Sequence, residues 1–256
     1  MKNSFFRQIA ARSWELACDH APPGSLHGKN TDIPLPYAVY VLPCWGALTA
    51  LAALLFGKLL TVFFPASGGA LVFAAVMLFL GEWRTSFRGL ALTVSTADLL
   101  LAQRSWRTAV RGRTGNIRQL NGIVADLATL ILLTVKFTAL THCFRLGVPW
   151  FAGIALTAAL TAEGFLATRP DAAGNPGMLP GGGTPEAVLL TGGFFLLWSL
   201  IFLPAPTLFG IGPAALTAWG IAQETLHDRG RLVSDDITFA GYLGEFQMLL
   251  AVQILL

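Results

Sequence analysis

Four polar side chains near the C-terminus have types and a spacing that suit the binding of a metal ion. They are Asp235, Thr238, Tyr242 and Glu245, which follow one another at i, i+3, i+7 and i+10. A helix advances about 100° per residue, so all four fall on one narrow stripe. Hard cations such as Mg²⁺ prefer oxygen ligands, usually one or two carboxylates together with substrate phosphates. The stripe therefore predicts a magnesium site that contains Asp235 and Glu245.

Asp236, Asp126 and Glu163 are further candidates for the same site, and ordinary roles compete with the metal interpretation. Asp235 and Asp236 also suit the N-terminus of a helix, where carboxylates accept backbone hydrogen bonds and interact favourably with the helix dipole. Asp126 suits a helix N-terminus in the same way. Glu245 lies too deep in its apolar stretch to be a cap, which leaves either a polar site or a hydrogen bond between helices.

The composition indicates that membrane helices position these acids. Of the 256 residues, 54% are hydrophobic and 12% are charged, whereas soluble domains carry about 25% charged residues. The mean hydropathy is +0.63. This composition predicts an integral membrane protein. It argues against binding to nucleic acid, because the sequence has no polar domain that would offer a groove.

Seven apolar stretches are long enough, or nearly long enough, to cross the bilayer as helices of about 20 residues. They cover residues 35–64, 70–81, 122–144, 149–168, 187–205, 206–223 and 237–256. None of them shows the alternating pattern of a half-buried β-strand. The sequence therefore predicts an all-α, polytopic integral membrane helical bundle of about seven spans, with the lipid bilayer as its partner.

Polar segments set the predicted domain organisation and orientation. Residues 1–33 form a polar N-terminal segment, and residues 34–256 form a single membrane-embedded helical domain. Within that domain, residues 82–121 contain seven arginines against two acids, and residues 169–186 form a loop rich in Pro and Gly. Positively charged segments stay in the cytosol. We therefore expect the N-terminus and residues 82–121 on the cytosolic side of the inner membrane of a bacterial-type cell.

Charged side chains within or beside the spans need a physical reason, since a charge at mid-bilayer costs about 2.5–3.5 kcal/mol on insertion scales. Lys136 lies near the middle of the third span, where pairing with an acid is favoured over snorkelling to the interface. The arginines between 104 and 118 have two interpretations. They form a solvated cytosolic flank, or they contact phosphates of a substrate or of lipid head groups.

The order of these features resembles the cobalamin synthase family, the adenosylcobinamide-GDP ribazoletransferases, over residues 33–256. The stretch IPLPYAVYVLPCWGALTALAALL is similar to the family's opening, with Pro43 and Gly46 in place. The family's acidic motif H-L-D-G-L-A-D-T-x-D-G corresponds to SFRGLALTVST, whose small residues indicate a loop. The matches are Gly89, Leu90, Ala91 and Thr93, while Ser86 replaces the histidine and Arg88, Leu92 and Ser95 replace the aspartates.

Two later stretches carry the rest of the resemblance. IRQLNGIVADLATLILLTVK has Gly122 and Lys136 at the family's spacing, with Arg118 in the place of an aspartate. SDDITFAGYLGEFQMLLAVQIL is similar to the family's C-terminal motif, G-D-T-L-G-A-x-x-E-L-x-E. Its matches are Asp235, Leu243 and Glu245, with Tyr242 in the place of a glutamate.

The resemblance implies a transferase that joins α-ribazole or its phosphate to adenosylcobinamide-GDP, releases GMP and uses Mg²⁺ to neutralise phosphate charge. It implies corrinoid and nucleotide substrates as partners. An arginine cannot ligate Mg²⁺ but can bind phosphate directly. The resemblance therefore implies substrate- or phosphate-binding roles for Arg88, Gly89, Thr93, Arg118 and Lys136.

The replaced aspartates leave three interpretations of function. The chain is a ribazoletransferase-like enzyme, or it is a non-catalytic membrane protein of the same fold that binds a corrinoid, a nucleotide or a partner. The third interpretation is an unrelated, transporter-like membrane protein. The acids cluster toward one face of the predicted bundle, which favours a site facing the cytosol over a path through the membrane.

Overall fold

The computed structural model describes residues 2–18, 35–103, 109, 112, 122–169, 184–229, 232 and 234–256. These residues form helices and no strand. The helices are α1 Lys2–Ala17, α2 Leu35–Tyr40, α3 Leu42–Phe63, α4 Ala66–Arg84, α5 Arg88–Gln103, α6 Ile123–Arg145, α7 Phe151–Ala167, α8 Pro185–Phe202, α9 Pro204–Arg229 and α10 Ser234–Leu255. The predicted all-α fold is confirmed.

Proline residues mark several of the helix boundaries. Pro43 lies in the first turn of α3, and Pro185 lies in the first turn of α8, where the missing N–H has no helical partner to lose. α3 ends at Phe63, and Phe64 is extended because the next residue is Pro65. α8 and α9 are separated by a single residue, Leu203, which is followed by a proline.

Within the described ranges, six helices are long and apolar enough to cross a membrane. They are Ala38–Phe63, which joins most of α2 to α3, and Ala66–Arg84, Ile123–Arg145, Pro185–Phe202, Pro204–His227 and Ser234–Leu255. Large apolar side chains are exposed along them, such as Leu59, Ile131, Leu190 and Leu216. An exposed apolar surface of this extent is stable in lipid and not in water. The chain is therefore an integral membrane protein.

The seventh apolar helix, α7, is shorter, with 17 residues. It is also the most enclosed, since 14 of its residues are buried. Helices α3, α8 and α10 pack around it. One of its contacts is very close, because a Cβ atom at Gly153 would overlap the backbone of Ala50 on α3. α7 is thus the centre of the bundle, and its small residues let α3 approach.

Two segments that the sequence predicts to be polar each contain a helix. Each of these helices buries residues against the bundle. The N-terminal segment 1–33 includes α1, whose Ile9 and Ala17 are buried. The basic segment 82–121 includes α5, whose Leu90 and Val94 are buried against α6 and α10. Buried residues four apart form one face of each helix, with Ser13 between Ile9 and Ala17 on α1, although the flanking charges dominate the sequence.

The loop expected at SFRGLALTVST is a helix from Arg88 onward, so that expectation is wrong. The turn is confined to residues 85–87, in which Ser86 and Phe87 have φ angles of 50° and 63° in the left-handed region. This turn connects α4 to α5. In the Pro/Gly loop, residues 170–183 lie outside the described part of the chain, and so does Arg118.

Candidate functional site

Four side chains from three helices form a buried polar cluster between α4, α6 and α10. The Lys136 Nζ atom of α6 is 2.8 Å from Glu82 Oε1 of α4 and 2.9 Å from Glu245 Oε1 of α10. The hydroxyl group of Tyr242 donates a hydrogen bond of 3.0 Å to the same Glu82 oxygen. Lys136 and Glu82 are each 1% exposed. We call Glu82, Lys136 and Glu245 the buried triad.

The Tyr242 ring forms one wall of the triad. Lys136 Nζ lies 4.5 Å from its centroid, which is a cation–π geometry. The ring also packs on α5, where a Cβ atom at Gly89 would overlap it. Gly89 therefore has a packing role, since the absence of a side chain there lets Tyr242 reach the triad.

A second buried pair lies beside the triad. Arg84, on the last turn of α4, has Nη2 3.4 Å from Glu163 Oε1 of α7. Its Nη1 donates a 2.8 Å hydrogen bond to the carbonyl oxygen of Ala17, at the end of α1. Arg84 thus ties α1 to the bundle, because a helix C-terminus offers carbonyl groups without helical partners.

A cavity of about 180 Å³ opens next to these charges. Its lining includes Arg84, Lys136 and Glu245, together with tryptophans at positions 14, 45 and 83 and aliphatic side chains. α1 supplies one wall, held by the hydrogen bond of 2.8 Å from Trp45 Nε1 to Ser13 Oγ. Trp14 and Trp45 also contact edge-to-face at 4.9 Å. We call this space the α1 cavity.

The structure divides the predicted stripe on α10 between two places. Tyr242 and Glu245 face Lys136, whereas Asp235 binds Arg88 of α5 through a 2.7 Å hydrogen bond from Nε. Ser234 Oγ accepts a second hydrogen bond from Arg88, of 2.8 Å. Arg88 is therefore bonded to the first turn of α10.

The described acids do not fit a magnesium site in this arrangement. Among the described residues, no group of three or more His, Cys, Asp or Glu side chains is placed to hold a metal ion. Glu245 and Asp235 each bind a cationic side chain. Of the additional candidates, Asp126 is exposed in the first turn of α6, and Asp236 is buried in the first turn of α10. The assignment of Mg²⁺ stays a prediction.

The candidates for phosphate binding are similarly dispersed. Thr93 Oγ1 donates to the carbonyl oxygen of Gly89 within α5. Lys136 is enclosed between two carboxylates. Its position in mid-span predicted that it pairs with an acid. Arg88 has Asp235 and Ser234 as partners. The described residues therefore do not bring these side chains together around one anion.

The sequence reasoning missed three residues of the site: Glu82, Arg84 and Trp14. Glu82 and Arg84 were placed in a cytosolic segment, although α4 continues through both of them. One signal was present, since a lysine in mid-span requires an acid at the same depth. Trp14 had no such signal, because only the folded chain places α1 over the cavity.

Comparisons with protein-family models, with curated proteins and with solved structures find no match to this chain.

Proposed function

We propose that this chain is a membrane-embedded binding protein for an amphiphilic molecule, whose polar end enters the α1 cavity. The observation that carries the proposal is the cavity itself, whose lining combines three charged side chains with aromatic and aliphatic ones. Binding sites for small molecules typically combine mostly apolar walls with a few convergent polar groups. Ionisable side chains within a membrane domain also mark functional sites more often than structural ones.

The size of the cavity favours partial insertion of the ligand. A dry cavity of about 150 Å³ is sufficient for benzene, and sites for whole drug-sized ligands are about 300–1,000 Å³. A space of about 180 Å³ therefore suits a head group or a short alkyl segment. It is too small for an entire corrinoid or nucleotide. The remainder of an amphiphile would extend from the cavity into the membrane.

The charge pairing favours binding over group transfer. A magnesium-dependent transferase needs carboxylates that are available to the metal, whereas Asp235 and Glu245 are bound to Arg88 and Lys136. The ribazole transfer implied by the resemblance stays a prediction. Its test is the release of GMP from adenosylcobinamide-GDP by the purified protein, with α-ribazole and Mg²⁺ supplied.

Photolabelling with decanol that carries a diazirine tests the binding proposal. The protein is purified in dodecyl maltoside micelles, whose sugar head group is too large for the cavity. Peptides around Trp14, Trp45 and Met77 should be labelled in a saturable manner that excess decanol suppresses, because these residues line the α1 cavity. The exposed Leu190 and Phe194 on α8 should be labelled without saturation, because they face the micelle.

Two matched substitutions on α7 locate the bound probe. Ala152→Leu extends a side chain into the α1 cavity and should lower the saturable labelling, whereas Ala158→Leu should leave it intact, because Ala158 does not line this cavity. Both alanines are similarly buried. The proposal fails if cavity peptides are labelled no more saturably than Leu190, or if the two variants behave alike.

A further inference from the structure

We propose that the α1 cavity selects an amphiphile with a cationic head group, of the alkylammonium class. This inference rests on the proposed function, because it names the chemistry of the ligand for the same cavity. Two independent features of the described residues support it, the charge of the buried triad and the tryptophans of the cavity wall.

The first feature is an excess of negative charge. The buried triad sets two carboxylates against a single ammonium group, so its ionised form has a net charge of −1. The adjacent Arg84–Glu163 pair is neutral as a pair. A net charge is costly in a medium of low dielectric constant and is stabilised by a nearby opposite charge. A cationic head group in the cavity would supply that charge.

Glu245 is the carboxylate of the buried triad that a ligand in the cavity can contact. Glu245 lines the cavity, whereas Glu82 does not. The ion pair of Glu245 with Lys136 is through Oε1. A ligand cation in the cavity would meet the carboxylate of Glu245 and not that of Glu82.

The two cations that line the cavity already have anionic partners. Lys136 Nζ contacts Glu82, Glu245 and the face of the Tyr242 ring. The terminal nitrogens of Arg84 bind Glu163 and the carbonyl oxygen of Ala17. The Nε–H of Arg84 is buried without a hydrogen-bond partner among the described residues, so an anionic head group can accept that one hydrogen bond. It would also approach the carboxylate of Glu245, whereas a cationic head group displaces no partner of either cation.

The second feature is aromatic. Trp14, Trp45 and Trp83 all line the α1 cavity. Tryptophan is the aromatic side chain with the strongest cation–π attraction, and groups of aromatic side chains recognise quaternary ammonium ligands. Aliphatic walls alone would not distinguish a cationic amphiphile from a neutral one. The tryptophans favour the cation, and its alkyl chain packs on the remaining apolar wall.

Displacement of the diazirine-decanol probe by three competitors tests the inference. The competitors are decyltrimethylammonium, decanol and decyl sulfate, which share a ten-carbon chain and differ in charge. The cation should suppress labelling near Trp14 and Trp45 at a concentration roughly tenfold lower than decanol does, because a cation–π contact and a charge contact are added. Decyl sulfate should be the weakest competitor. Labelling at Leu190 normalises each competitor for its partition into the micelle.

Substitution of the two acids separates direct contact from general charge. Glu245→Gln removes both the contact and the charge, so it should lower the preference for the cation the most. Glu82→Gln removes a charge that does not line the cavity, and its effect should be intermediate. If Glu245→Gln retains the full preference, the proposed recognition by Glu245 is wrong.

The outcomes distinguish this inference from the function on which it rests. The inference is overturned if labelling is saturable but decyltrimethylammonium suppresses it at a concentration less than roughly tenfold below that of decanol. It is also overturned if decyl sulfate is the best competitor. Either result leaves the binding function supported. An absence of saturable labelling in the cavity overturns both. The comparison of competitors uses the wild-type protein, so it does not depend on whether either variant folds.

Discussion

Replacing Lys136 with methionine should destabilise the protein by about 3–5 kcal/mol, the usual cost of leaving buried charges without their partner. Methionine has a similar length and is apolar, so the change removes the charge with little change of volume. Glu82 Oε1 and Glu245 Oε1 would then face each other without the ammonium group that now lies 2.8 and 2.9 Å from them. The measurement is the free energy of unfolding in mixed micelles.

Lys58→Met is the matched control for this prediction, because Lys58 is also a lysine in a membrane helix but is exposed. Its effect should be within about 0.5 kcal/mol of zero, as for surface substitutions. Combining Lys136→Met with Glu82→Gln and Glu245→Gln should recover most of the lost stability, because no uncompensated charge remains buried. If Lys136→Met and Lys58→Met have equal effects, the triad does not stabilise the bundle.

Most of the membrane helices could be predicted from the sequence because a bilayer imposes a length and a composition. The stretch predicted at 122–144 is the helix Ile123–Arg145, and the stretch at 237–256 is Ser234–Leu255. The end of α4 was harder to predict. Charged residues near Arg84 suggested that the span stops earlier, whereas the helix continues because Glu82 and Arg84 find buried partners on other helices.

The helical part of the basic segment illustrates why local sequence was insufficient. α5 has its own apolar face, but the arginines that follow it made the whole segment appear solvated. Its position depends on Arg88, which binds Asp235 at a separation of 147 residues. Neither partner alone indicates the other. A pairing of this kind arises only when the helices that carry both residues have assembled.

The candidate site was predictable in its stripe and unpredictable in its content. Helical periodicity placed Tyr242 and Glu245 on one face, and both do face Lys136. The oxygen atoms on this stripe suggested a metal ion as their partner. The spacing of residues on one helix does not reveal that a neighbouring helix supplies a cationic side chain instead. The nearest charge came from α6, and Glu82, 54 residues away from Lys136, completed the cluster.

The close contact of α7 with α3 also positions the site, since α7 contributes Ala152 and Leu156 to the cavity wall. Gly153→Val should therefore destabilise the protein by about 3 kcal/mol, at the upper end of the usual cost of overpacking. The reason is steric. A Cβ atom at Gly153 would overlap the backbone and side chain of Ala50, and backbone atoms cannot move aside as the end of a flexible side chain can.

The matched control for this substitution is Gly193→Val on α8, because a Cβ atom at Gly193 would meet no heavy atom within 4 Å. Both substitutions replace a glycine inside a membrane helix with the same side chain, so the intrinsic helix propensity changes alike. Gly193→Val should be near neutral in the unfolding assay. Gly153→Val should also lower the saturable photolabelling near Trp45, since separating α3 from α7 opens the cavity wall. If the two valines have the same effect on unfolding, α3 has room to move away from α7, and their close approach does not hold the cavity together.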